Sequence, residues 1–234
     1  MRRSPFRGHR YPQSVILTAV RWYCRFALSY RDVRDLLAER GVHVDASTVY
    51  RWVQKFGPEI AKRSFKHRTW RGLDWHLDET YVRVGGKWRY LWRAVDQFGR
   101  LIDFRLTARR DANAARAFLR QALETARIYR PATITTDKAW TYRKILAEKN
   151  AGVASADRIR HIDQKYRNNR IESDHASLKK VLGPMRGFRR LSSAKATLKG
   201  IEAVRTIVRD GVYGRSPGVR GEVQFINNRF AARA

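Results

Sequence analysis

Three runs rich in aromatic and branched residues, LDWHLDETYVRV, KWRYLWRAVDQ and RLIDFRLTA, follow one another from Leu73 to Ala108, parted only by Gly85-Gly86 and by Phe98-Gly99. Short glycine-bearing links of this kind join antiparallel neighbours, so the segment predicts a three-stranded meander over 73–84, 87–97 and 100–108. A helix is expected next, from about Asp111 to Arg127, because Ala114, Ala115, Phe118, Leu119 and Ala122 recur at helical spacing. PATITTDKAW, Pro131 to Trp140, alternates in the manner of a fourth strand that ends in Asp137. A further helix, a short strand near Arg158 to His161, and a last helix through YRNNRIESDHASLKK, Tyr166 to Lys180, complete the series.

Three strands, helix, strand, helix, strand, helix is the order of the ribonuclease-H-like nucleic-acid enzymes, an α/β fold with a mixed five-stranded sheet and helices on both faces. In that fold the first and fourth strands are central neighbours, which brings Asp78 and Asp137 to one place. Glu79 cannot join them, since adjacent strand residues face opposite sides. A lone Glu172 among Arg167, Arg170, Lys179 and Lys180 reads as a solvated acid on a basic helix. With two aspartates across from it, it reads as a third carboxylate. Such a trio suits Mg²⁺, a hard cation that takes oxygen ligands. Two ions roughly 4 Å apart would hold the attacking and leaving oxygens of an in-line phosphoryl displacement, with Mn²⁺ able to substitute. Asp174 lies about 200° round the helix from Glu172 and is a poor ligand candidate. Asp74, Asp96, Asp103 and Asp111 have no place in the pattern, Asp96 being the one to revisit.

Ahead of the sheet, SYRDVRDLLAERGVHVDASTVYRWVQKF, Ser29 to Phe56, holds two short helical patterns. Ser29 and Asp32 form a capping box for the first, with Val33, Leu36, Leu37 and Arg40 at helical spacing and Gly41 as its stop. The second sets Val49, Trp52, Val53 and Phe56 on one stripe, with Asp45 or Ser47 as its cap. Two helices about a glycine turn outline a helix-turn-helix, whose second helix enters the major groove. Its outer face offers Ser47, Tyr50, Arg51, Gln54 and Lys55, of which Arg and Gln match guanine and adenine edges. An ordinary helical hairpin has the same outline; the charge of the chain favours DNA. A preceding helix from about Gln13 to Leu28 supplies a core, and Gly57-Pro58 is expected to end the unit.

That charge is a formal +29, from 50 Lys and Arg against 21 Asp and Glu, and it favours a polyanionic partner. At 43% hydrophobic and 12% aromatic residues the chain can bury a core, which argues against disorder. Cys24 is the single cysteine, so neither an intrachain disulfide nor a zinc finger is available. The apolar run from Val15 to Val20 is cut by Arg21, too short for a signal core, and no segment is long enough to cross a bilayer. A bacterial cytoplasmic protein working at the nucleoid, with no membrane partner, is the expectation. The expected division is a helix-turn-helix domain over 1–65, a basic linker over 66–72, a catalytic domain over 73–215 and a tail over 216–234.

With 34 residues between the last two, Asp78, Asp137 and Glu172 resemble the DDE triad of bacterial insertion-sequence transposases. WHLDETYV, YLWRAVD, TDKAWTY, KYRNNRIESDH and LKKVLGPMRGF, with RWYC and STVYRWVQ near the front, are similar in order to the cointegrate-forming family called number six among insertion sequences. The resemblance covers essentially the whole chain. It implies a transposase that binds terminal inverted repeats in double-stranded DNA and performs metal-dependent cleavage and strand transfer. It also implies a homo-oligomer, a dimer bridging two ends, and a DNA-contacting base at Lys179, which lies seven residues and two turns beyond Glu172. His175 shares that face as a candidate contact to the scissile phosphate or a water, although a lone histidine beside a helix acid is more often structural. A ribonuclease-H-like nuclease without strand transfer and a non-catalytic helix-turn-helix regulator are the rival readings.

Overall fold

In the computed structural model, which describes residues 4–69, 72–127, 129–137, 140–163 and 169–231, the chain opens with α1 (Gln13–Arg25), α2 (Tyr30–Ala38) and α3 (Ala46–Ser64). Ser29 and Asp32 cap α2 reciprocally, each side chain accepting from the other's backbone N–H. Gly41 sits at φ +72° in the turn, a left-handed conformation in which a Cβ would be strained. The stripe of Val49, Trp52, Val53 and Phe56 is buried.

Two local expectations fail here. The first helix stops at Arg25, where Phe26 turns extended. α3 does not end at Gly57-Pro58 but runs on to Ser64 with Pro58 inside it. The proline forfeits one helical hydrogen bond, yet its φ is compatible with a helix. Burial of Ile60 and Ala61 beyond it offsets that loss.

The sheet follows: β1 (Asp74–Val84), β2 (Lys87–Asp96), β3 (Leu101–Thr107), α4 (Ala112–Thr125), β4 (Thr133–Thr136), α5 (Trp140–Asn150), β5 (Arg160–Asp163) and α6 (Asn169–Leu182). Strand order is β3-β2-β1-β4-β5, with the first three antiparallel and β4 and β5 parallel to β1. This is the ribonuclease-H-like arrangement. Trp75, Leu77, Trp92, Ala94 and Ile134 project to one face and form a core with Phe118 and Leu119 of α4 and Ile145 and Leu146 of α5. The alternate residues His76, Asp78 and Thr80 point the other way, towards the face that α6 crosses.

Two further helices, α7 (Leu191–Val208) and α8 (Gly218–Asn228), close the chain. They pack with the first three helices. Residues up to 69 and from 181 onwards form one compact unit, and 70–180 form the other. α7 buries Ala194, Leu198, Ile201, Ala203, Val204 and Ile207, an apolar surface around most of its circumference that needs neighbours on several sides. It packs on α1 and α3, and Arg25 and Glu222 form an ion pair between α1 and α8. The described part of the expected linker is likewise packed. Arg68 bridges Val212, the Thr69 N–H donates to the Gly211 carbonyl at 3.0 Å, and both residues are buried. Residues 70 and 71 lie outside the described residues.

Candidate active site

The parallel ladder between β1 and β4 pairs Asp74 with Thr133, Trp75 with Ile134 and His76 with Thr135. Two residues beyond the last of these pairs stand Asp78, still within β1, and Asp137, one residue past the end of β4. The Asp78 side chain is 26% exposed, at the mouth of the face that α6 crosses. Glu172 lies in the first turn of α6 and is exposed.

The Asp78 carboxyl is pushed up to about 7, first by burial, then by the neighbouring Glu79, with Asp137 and Glu172 adding to the rise. The three predicted acids therefore share one electrostatic field. Among the described residues, no three His, Cys, Asp or Glu side chains stand close enough to ligate a metal ion as they are placed. The donor chemistry nonetheless fits a hard divalent cation: carboxylate oxygens, one of them raised by burial and then by its acidic neighbours, a rise that a bound cation would reverse.

The face of α6 turned to the sheet carries a feature that the sequence reading did not anticipate. Arg93, directly across the ladder from Asp78, forms an ion pair with Asp174, and these side chains are 1% and 3% exposed. Asp174 is thus no ligand, as helix geometry indicated; it is the tether that holds α6 to β2. An arginine in the middle of the apolar run YLWRAV was the available signal, since a charge buried in a strand calls for a partner. His175, expected at the DNA, is instead buried, with Nδ1 3.5 Å from Asp78 Oδ2. Lys179 is exposed two turns beyond Glu172 on the same face of α6.

The acids set aside have structural positions. Asp96 accepts from the N–H groups of Phe98 and Arg100, both at 2.9 Å, and caps the β2–β3 turn. Asp111 caps α4 through Ala114 N–H. Asp103 accepts from Thr125 Oγ1 at 2.6 Å, and Asp74 accepts from Thr133 Oγ1. Glu79 faces away from the site and pairs with Arg110.

On α3, Ser47, Tyr50, Arg51 and Lys55 are exposed as expected of a reading face. Arg51 donates to Thr48 Oγ1 one turn back, at 3.2 Å, and Lys55 meets His9 Nε2 at 2.8 Å. Gln54 departs from the expectation. Its side-chain amide donates to Thr197 Oγ1 at 2.9 Å, so it serves the packing of α3 on α7. Cys24 is buried and unpaired by disulfide. No helix among the described residues is long and apolar enough to cross a membrane.

Comparison with known proteins places this geometry. Residues 72–211 match the model of a DDE domain of the IS240 transposase type. A transposase for an insertion sequence-like element IS431mec of Staphylococcus aureus is 37% identical over 223 residues, covering 91% of this chain and 94% of that one. The transposase for insertion sequence element IS257 in transposon Tn4003, from the same organism, matches to the same extent. Among solved structures, the HTLV-2 integrase catalytic core domain aligns with a TM-score of 0.42 and 17% identity over 59% of this chain and 88% of that chain, a likeness too loose to bear on the argument. On the family model and the near full-length relatives, the chain belongs to the IS240-type DDE transposases.

Proposed function

We propose that Asp78, Asp137 and Glu172 are the carboxylates at which this transposase, a polynucleotidyl transferase by family, cuts the end of its own element and joins it to target DNA. What supports this reading is that Asp78 and Asp137 each follow by two residues the parallel pair His76–Thr135, and that Asp137 and Glu172 both add to the rise of the Asp78 carboxyl. The three residues would hold Mg²⁺, as a pair of ions for which Mn²⁺ can stand in. When bound, the metal supplies positive charge that activates an attacking oxygen and stabilises the leaving one.

The protein's part is positioning. Asp78 would give up its proton when the site fills, because added positive charge would offset the burial and the neighbouring acids that hold its carboxyl up. Lys179, on the Glu172 face, neutralises a phosphate of the bound strand and sets its approach. The Arg93–Asp174 pair anchors to the sheet the helix that would bring Glu172 to the two aspartates. The outer face of α3 reads the terminal inverted repeats through Ser47, Tyr50 and Arg51, with Lys55 on the backbone. A homodimer bridging two ends, cointegrate formation of the number-six kind, and work on double-stranded DNA in the bacterial cytoplasm at the nucleoid complete the reading.

The test is a reaction of the purified protein with a short duplex taken from the DNA flanking its gene, in Mg²⁺ and in Mn²⁺. Joined product in either metal and none without metal is expected. Cut product with no joined product would assign a nuclease instead.

A further inference from the structure

Gln54 pairs with Thr197, and Gly57 lies against Gly200, at the same 143-residue offset. A constant offset means that α3 and α7 run parallel, so their first turns lie at the same end of the unit. Extended towards that end, the offset sets Ser47 beside Arg190 and Tyr50 beside Ser193. All four of these residues line one groove of about 1060 Å³, whose other walls come from α2 and from the segment that leads into α7. The groove is strongly basic. Arg31, Arg186, Arg189 and Arg190 line it and are exposed, while its one acid, Asp32, is already occupied by the Ser29 N–H.

We propose that this groove is a second DNA-binding element, a phosphate clamp in which Arg186, Arg189 and Arg190 from the segment before α7, with Arg31 opposite, grip the DNA backbone beside the turn of α3 that reads bases. The assignment rests on α3 being the reading helix. Its occupant is the duplex held by α3: exposed guanidinium groups complement phosphate oxygens, and they lie immediately next to the turn that a major groove would receive. A segment about 140 residues away in sequence thereby completes the reading surface. The chemistry separates the two elements: α3 chooses the sequence, and the clamp contributes affinity that any duplex would feel.

The experiment uses the full chain and fluorescence anisotropy across a salt series, with two probes, a duplex from the DNA flanking the gene and a scrambled duplex of equal length. Arg189→Ala/Arg190→Ala should weaken both probes by the same factor and lower the slope of log affinity against log salt by about two. Arg189→Lys/Arg190→Lys, which keeps both charges, should restore most of the slope. Arg31→Gln on the opposite wall, an independent variant should the double alanine fold poorly, should lower it by about one. An unchanged slope in the folded alanine pair or in Arg31→Gln overturns the clamp, and so does an acidic segment of a second copy found in the groove. The reading of α3 fails differently: the unaltered protein would show no preference between the probes, and Arg51→Ala would change nothing.

Discussion

Arg93 and Asp174 form an ion pair sealed from solvent, and Arg93 is the residue directly across the β-ladder from Asp78. One contact thus ties the helix of Glu172 to the strand that neighbours the first aspartate. Removing either partner alone strips a buried charge of this counter-charge, at a cost of about 3–5 kcal/mol. Arg93→Met or Asp174→Leu should each lower the urea midpoint accordingly and lower strand transfer, although no predicted ligand is touched. The joint replacement Arg93→Met/Asp174→Leu should recover much of the stability, because two apolar groups leave no orphaned charge. Paired urea melts and joining assays check both parts.

The raised Asp78 carboxyl predicts a pH dependence whose sign is fixed. Its ordinary value is 3.8 and its folded value about 7, so between these the folded chain holds a proton that the unfolded chain has lost. The contribution to stability therefore falls as pH rises through that window and is fully unfavourable above 7. Without metal, Asp78→Asn should melt higher than the unaltered protein above pH 7, with the difference vanishing near pH 4. Mg²⁺ should raise the melting temperature of the unaltered protein above pH 7, progressively less as pH falls, and should do little for Asp78→Asn. Thermal melts across pH with and without Mg²⁺ provide the check.

α3 and α7 touch backbone to backbone. A Cβ on Gly200 would lie 2.9 Å from Gly57 Cα and 2.9 Å from Cys24 Sγ, closer than real contacts allow. Gly200→Ala gains up to about 1 kcal/mol of helix propensity. Forcing the helices apart costs about 1–3 kcal/mol and should win. Denaturant titration should show a net loss, larger than for Gly57→Ala, whose Cβ would stand 3.3 Å from Gly200 Cα.

Arg51 and Gln54, alike in the sequence reading, should part company in solution. Arg51→Ala should cost about 1–3 kcal/mol of discrimination between the element end and scrambled DNA. Gln54→Ala should leave that ratio intact and cost about 1 kcal/mol of folding stability, since its partner is Thr197. Anisotropy with the two duplexes, paired with a melt, separates these outcomes.

The meander was legible because its turns are written in glycine, and the capping box of α2 because Ser29 and Asp32 are three residues apart. The neighbouring of β1 and β4 could be expected because the order of elements is that of the ribonuclease-H-like fold. What could not be read was contact between distant segments. Pro58 looked like a stop because the neighbour that holds α3 together past it, α7, lies about 140 residues on. The same long-range packing moved 181–231 from the expected catalytic domain and tail into the first unit, and turned Gln54 from a base reader into a packing residue. His175 and Asp174 share a helix with Glu172, and only the sheet beneath them showed that one meets Asp78 and the other Arg93.

Strand transfer by Glu172→Gln in Mg²⁺ tests whether Glu172 completes a metal site with Asp78 and Asp137. The substitution keeps size and hydrogen-bonding capacity while removing the charge that would hold the ion. End binding and the thermal melt should be retained while joined product disappears; joining at a rate near that of the unaltered protein would mean that Glu172 holds no ion.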